Sequence, residues 1–88
     1  MTTYSVTLQD NDGMVSSITL NGTSYQMTDF PIDVNGGESL VIDMLCYTMC
    51  WVTVTMGGVQ VGNSYTTSIP SVNADIVITV IQNSDEPD

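Results

Sequence analysis

Val52-Thr53-Val54-Thr55-Met56-Gly57-Gly58 alternates apolar and polar side chains for five residues and then stops on two glycines. A β-strand points successive side chains to opposite faces, so this alternation gives a ribbon with one apolar face and one hydroxyl-bearing face. The Gly-Gly pair closes it in a tight turn, because glycine reaches the positive φ values that two-residue hairpins need. The same period recurs on either side. Val6 and Leu8 alternate with Ser5, Thr7 and Gln9; Ile18 and Leu20 alternate with Ser17, Thr19 and Asn21; Ile76, Ile78 and Val80 alternate with Val77, Thr79 and Ile81. Turn chemistry separates these runs at Asn11-Asp12-Gly13, Asn21-Gly22, Asn35-Gly36-Gly37, Gly62-Asn63 and Pro70 with Asn73. Ala occurs once, at Ala74, whereas Val, Ile and Thr are abundant, a balance that suits pleated surfaces rather than helices.

About seven short strands follow, eight at most, and at this spacing they predict an all-β, immunoglobulin-like antiparallel β-sandwich, with a small β-barrel as the other architecture. Residues 1–82 read as one domain and residues 83–88, Asn83-Ser84-Asp85-Glu86-Pro87-Asp88, as an acidic mobile tail. A faint internal repeat lies at an offset near 36 residues. It aligns Val15–Gly22 with Trp51–Gly58, Ser24-Tyr25 with Ser64-Tyr65, Phe30-Pro31 with Ile69-Pro70 and Leu40–Met44 with Ile76–Val80. Two related three-strand units facing each other across one core would account for it. Near the middle, the bulky residues Tyr47 and Met49 are out of phase with Val52, Val54 and Met56. A continuous strand therefore needs a bulge near Cys50-Trp51 to keep one face apolar. Trp51, the only Trp, is expected to plug the core or cap its edge.

Composition bounds the function more sharply than it names one. The 88 residues contain no Lys, Arg or His and ten Asp plus Glu, for a formal charge of −10. Nucleic acid and anionic membranes are poor partners for a chain with no cationic side chain to set against phosphate. With 42% hydrophobic residues the chain nonetheless has the material for a core, and no apolar run approaches the length of a transmembrane helix. Met1-Thr2-Thr3-Tyr4 lacks the cationic start and apolar stretch of a signal peptide, so synthesis in a cytoplasm without export is expected. Without His or Lys, general acid/base work falls to scattered carboxylates, and no nucleophile has a base to activate it. No enzymatic activity is expected.

Few residues invite site chemistry. Cys46 and Cys50 are four apart. In one extended strand that spacing is about 13 Å, so a disulfide requires a turn at Tyr47-Thr48-Met49. The readings left open are that disulfide, two buried free thiols, and metal ligation, the last incomplete without carboxylates or a neighbouring chain. Asp10-Asn11-Asp12-Gly13 starts like a calcium loop, with Asp10 and Asp12 as Ca²⁺ ligands, but the later ligands do not follow and an acidic hairpin turn is favoured. Asn21-Gly22-Thr23 has the form of a glycosylation sequon, yet Asn-Gly is the preferred pair of a type I′ turn. Tyr4, Tyr25, Tyr47 and Tyr65 are expected mostly to pack in the sandwich with hydroxyls at its rim; a carbohydrate-stacking surface is the other reading. No cofactor is expected beyond that calcium option.

Gly37-Glu38-Ser39, Tyr47-Thr48-Met49, Val52–Gly58, Ile69–Val72 and Asp75–Val80 together resemble an Ig-like repeat module that recurs in bacteriophage virion proteins and gut-bacterial surface proteins. The resemblance spans about residues 37–81, rests on turn and core residues, and carries no binding residue over. Cys46 and Cys50 depart from the module, which typically has a Gly or Asp turn residue before the Tyr. The resemblance implies a structural virion component, as decoration, cement or part of a fibre, docked on capsid or tail proteins or on further copies of itself. Its other implications are a host-glycan binding module and a spacer repeat of a bacterial surface protein, both extracellular.

Overall fold

The computed structural model describes residues 2–82, which form nine strands in two sheets around one core. In chain order these are β1 (Thr3–Asp10), β2 (Val15–Leu20), β3 (Thr23–Tyr25), β4 (Ile32–Asn35), β5 (Leu40–Cys46), β6 (Cys50–Met56), β7 (Val59–Gly62), β8 (Thr66–Ile69) and β9 (Ile76–Gln82). A single 3₁₀ turn, Met27–Asp29, interrupts the path from β3 to β4. One sheet has the order β4-β1-β9-β6-β7 and the other β3-β2-β5-β8. The expected β-sandwich is therefore present, and the sheets do not close into a barrel. Nine strands form, more than the seven or eight expected, because β3, β4, β7 and β8 are three or four residues long, too short to display a period. The acidic segment 83–88, expected to be mobile, lies outside the described residues.

Alternation decides what is buried. Val6, Ile18, Leu20, Leu40, Ile42, Met44, Val52, Val54, Ile76, Ile78 and Val80 all point inward. The buried hydrophobic core is built of Val, Ile, Leu and Met, with Tyr4, Tyr25 and Phe30 half-buried against it. Each such aliphatic side chain, fully buried, stabilises the fold by roughly 1.5–3 kcal/mol, which a small sandwich needs to offset its chain entropy. The pairing is antiparallel except between β1 and β9, which run parallel with Val6 opposite Ile76 and Asp10 opposite Val80.

The bulge expected near Cys50-Trp51 is absent. Instead the chain breaks at Tyr47-Thr48-Met49, before β6 begins at Cys50, and β5 and β6 belong to different sheets. Tyr47 and Met49 sit outside the core in the crossover, so the even-numbered phase of Leu40–Met44 and Val52–Val54 needs no correction. A bulge does form in β2, where Ser16 is the extra residue between Val15 (opposite Cys46) and Ser17 (opposite Leu45). It switches the phase of that strand so that Val15 and Ile18 are both buried.

The repeat in sequence is matched by a repeat in topology. Leu20 pairs with Thr23 across Asn21-Gly22, and Met56 pairs with Val59 across Gly57-Gly58, both turns lying at positive φ as a two-residue hairpin between twisted strands demands. After its hairpin each half sends one strand, β4 or β8, to the edge of the opposite sheet. Each then returns with a strand, β5 or β9, that pairs with the hairpin's first strand. The sheets differ by β1, inserted between β9 and β4.

Candidate functional site

The crossover from β5 to β6 is where the chemistry of this chain concentrates. Cys46 lies opposite Val15 in one sheet and Cys50 opposite Gln82 in the other. Between them the chain turns, which brings the two Cα atoms to 6.5 Å, and a disulfide joins Cys46 to Cys50. Neither cysteine is free. Of the three readings open from the sequence, free thiols and metal ligation do not hold, because the turn at Tyr47-Thr48-Met49 supplies the approach that an extended strand would deny.

Backbone and side-chain bonds fix this turn from both sides. Tyr47 N–H donates to the Met14 carbonyl at 2.8 Å, tying the loop to the turn between β1 and β2. Cys50 N–H donates to the Tyr65 hydroxyl oxygen at 3.3 Å, while the Tyr65 carbonyl accepts from Met44 N–H at 2.8 Å. Tyr65 thus spans the segment just before β8, the end of β5 and the start of β6, with its hydroxyl 3.9 Å from Cys50 Sγ.

Around this staple the surface is apolar. Leu45 is 59% exposed, Tyr47 73%, Met49 71%, Trp51 45% and Ile81 50%. Trp51 and Ile81 are direct cross-strand partners, so they share the outer face of their sheet. Trp51 does not plug the core as its size suggested: it occupies an odd position next to inward Val52, and the phase of β6 turns it out. Of the four tyrosines, Tyr4 and Tyr25 are half-buried as expected, whereas Tyr47 and Tyr65 are exposed at this end. Leu45, Trp51 and Ile81 were all marked in the sequence by their outward phase; hydrophobicity alone hid them.

The acidic turn beside the staple is braced by its own backbone. Both carboxylate oxygens of Asp10 accept backbone N–H groups, Oδ1 from Met14 at 2.8 Å and Oδ2 from Val15 at 2.9 Å, and Gly13 N–H donates to the Asp10 carbonyl at 3.2 Å. Asp12 is exposed on the same turn. Among the described residues no group of three or more His, Cys, Asp or Glu is placed to hold a metal ion. The other bonded carboxylates act singly: Asp29 accepts from Gln26 N–H at 2.9 Å, Asp75 from Ser5 N–H at 3.0 Å and Asp43 from the Thr66 hydroxyl at 2.6 Å. Asn21 adopts a positive φ in its turn, and its amide joins the ladder, accepting from Val41 N–H at 2.8 Å and donating to the Ser39 carbonyl at 3.2 Å.

Among the depressions in the surface of the described residues are two shallow ones. The larger, about 380 Å³, runs over the outer face of β2 and β5 and is lined by Ser17, Thr19, Asp43, Leu45, Tyr65 and Thr66. The smaller, about 190 Å³, lies at the opposite end beside Asn21, Asp33, Asn35, Glu38 and Ser39. No described helix is long and apolar enough to cross a membrane. Comparison of the chain with protein-family models, with curated proteins and with solved structures finds no match.

Proposed function

We propose that this chain is a non-enzymatic structural component of a bacteriophage virion that docks on other virion proteins as decoration, cement or part of a fibre. The observation that carries the reading is the gathering of exposed Leu45, Tyr47, Met49, Trp51 and Ile81 at one end of an otherwise polar, wholly anionic sandwich. Exposed apolar side chains concentrated at one end of a small domain mark an interaction site. Strand addition is the weaker route to assembly: the edge strands β3, β4, β7 and β8 have only three or four residues each and offer few unpaired backbone groups. The resemblance of residues 37–81 to Ig-like virion modules supports the assignment to a particle. Mass spectrometry of purified particles from the phage encoding this chain tests it. The chain is expected at a fixed stoichiometry, and its absence from intact particles removes the reading.

The larger depression favours a second reading, a glycan-binding module. Asp43 has one carboxylate oxygen engaged by Thr66, and Ser17, Thr19 and the Tyr65 ring border it, a set of groups able to exchange hydrogen bonds with sugar hydroxyls and to stack on a pyranose face. A glycan array run with and without calcium separates the readings. Binding lost on Asp43→Ala favours the glycan module, and a blank array leaves the virion component.

A further inference from the structure

The disulfide-closed end has the properties of a plug. Eight large hydrophobic side chains are exposed among the described residues, and six of them lie here: Leu45, Tyr47, Met49, Trp51, Tyr65 and Ile81. Only Val41 and Val59 lie elsewhere. Such a concentration is held rigid rather than left on a floppy loop. The Cys46–Cys50 bond closes the turn, Tyr47 N–H is tied to Met14, and Tyr65 is anchored at its carbonyl and at its hydroxyl. Rigid aromatic anchors lose little entropy on docking, which is how a few residues come to dominate an interface.

Charge selects the occupant. The exposed acid Asp12 lies at this end, on the turn that Met14 ties to Tyr47, and the chain carries a formal charge of −10 with no cationic side chain anywhere to pair with it. A second copy would therefore bring carboxylates against carboxylates around the apolar centre, a like-charge juxtaposition that opposes association. The chain's own remaining segment, residues 83–88, contains three acids and no apolar side chain other than Pro87, so it cannot supply the cover. An anionic lipid surface fails on the same charge argument. What remains complementary is an apolar recess bordered by cations.

We infer that Tyr47 and Met49 at the crossover, with Trp51 and Ile81 beside them, insert into an apolar recess on a second protein whose rim carries Lys or Arg. The recess supplies burial, and the rim pairs with Asp12. This inference rests on the virion reading above and names how the chain would attach.

The test uses particles purified from a phage deleted for this chain, to which the full-length oxidised protein is added back and binding is measured at low and high salt. Wild type is expected to bind saturably and Val59→Ser, at the far end, to bind equally. The pair Met49→Ser and Trp51→Ser is expected to bind at least about 30-fold more weakly, the scale of removing an interface anchor. A rise in salt is expected to weaken wild-type binding about tenfold, because a cationic rim is screened. All altered side chains are exposed, and circular dichroism with thiol titration checks that each variant is folded and bridged; Tyr47→Ser replaces any that is not. Equal binding of wild type and the double variant overturns the plug while leaving the virion reading intact. No binding of wild type overturns both. Salt-independent binding overturns the cationic rim, and binding to phosphatidylcholine vesicles overturns the protein recess in favour of a lipid surface.

Discussion

At the scale of single residues, Thr67 is the one buried polar side chain among the described residues, 4% exposed, and its hydroxyl finds no hydrogen-bond partner among them. It packs against Gly62, where a Cβ would run into the Thr67 side chain, so the approach of β7 to β8 depends on the glycine. Replacing Thr67 by Val keeps the shape and removes an unpaired buried hydroxyl, and is expected to stabilise the fold by about 1 kcal/mol. Gly62→Ala is expected to cost about 1–3 kcal/mol through overpacking, and denaturant titration of the two variants reads both signs. Asp10 and Asp12 provide a third contrast. Asp10→Ala strips the carboxylate from two backbone amides and is expected to cost about 2 kcal/mol, whereas Asp12→Ala, exposed, should stay within about 0.5 kcal/mol. With both Asp10 oxygens engaged, millimolar calcium is expected to leave the melting temperature unchanged; a rise would favour the calcium reading of that turn.

Among the elements, the crossover between β5 and β6 carries the sharpest consequence. The disulfide closes a loop of five residues from Cys46 to Cys50, and by the chain-entropy relation it is worth about 2 kcal/mol. Cys46→Ser with Cys50→Ser is expected to lower the melting temperature by roughly 10 °C in calorimetry, with the sheets retained, since both strands keep their other partners. The strands themselves were legible in sequence, because β5, β6 and β9 each carry a period of two, as does β2 after its bulge, and turn residues separate them. The crossover was harder to read. Tyr47, Met49 and Trp51 look like core residues by size, and only the uninterrupted even phase of Ile42, Met44, Val52 and Val54 says that they face outward. Pairings such as β1 with β9 are set by contacts far apart in the chain, and local alternation contains no information about them. The depression around Asp43 escaped for the same reason: its lining comes from β2, β5 and the segment entering β8.

For the whole molecule the governing fact is a charge of −10 without a single cationic side chain. Folding gathers like charges with no side-chain ion pair to relieve them, so the midpoint of unfolding is expected to rise with ionic strength, most steeply at low salt. A protein stabilised by surface ion pairs would move the other way, and a thermal melt over a salt series distinguishes the two. The topology adds another property at this scale. Each half lends a strand to the sheet that the other half builds, β4 to one side and β8 to the other. A protease nick within Tyr47-Thr48-Met49 would consequently release nothing, because the severed halves stay clasped by their exchanged strands and tethered through sulfur. On a non-reducing gel the cut chain would run as one species, and only reductant and denaturant together would part it.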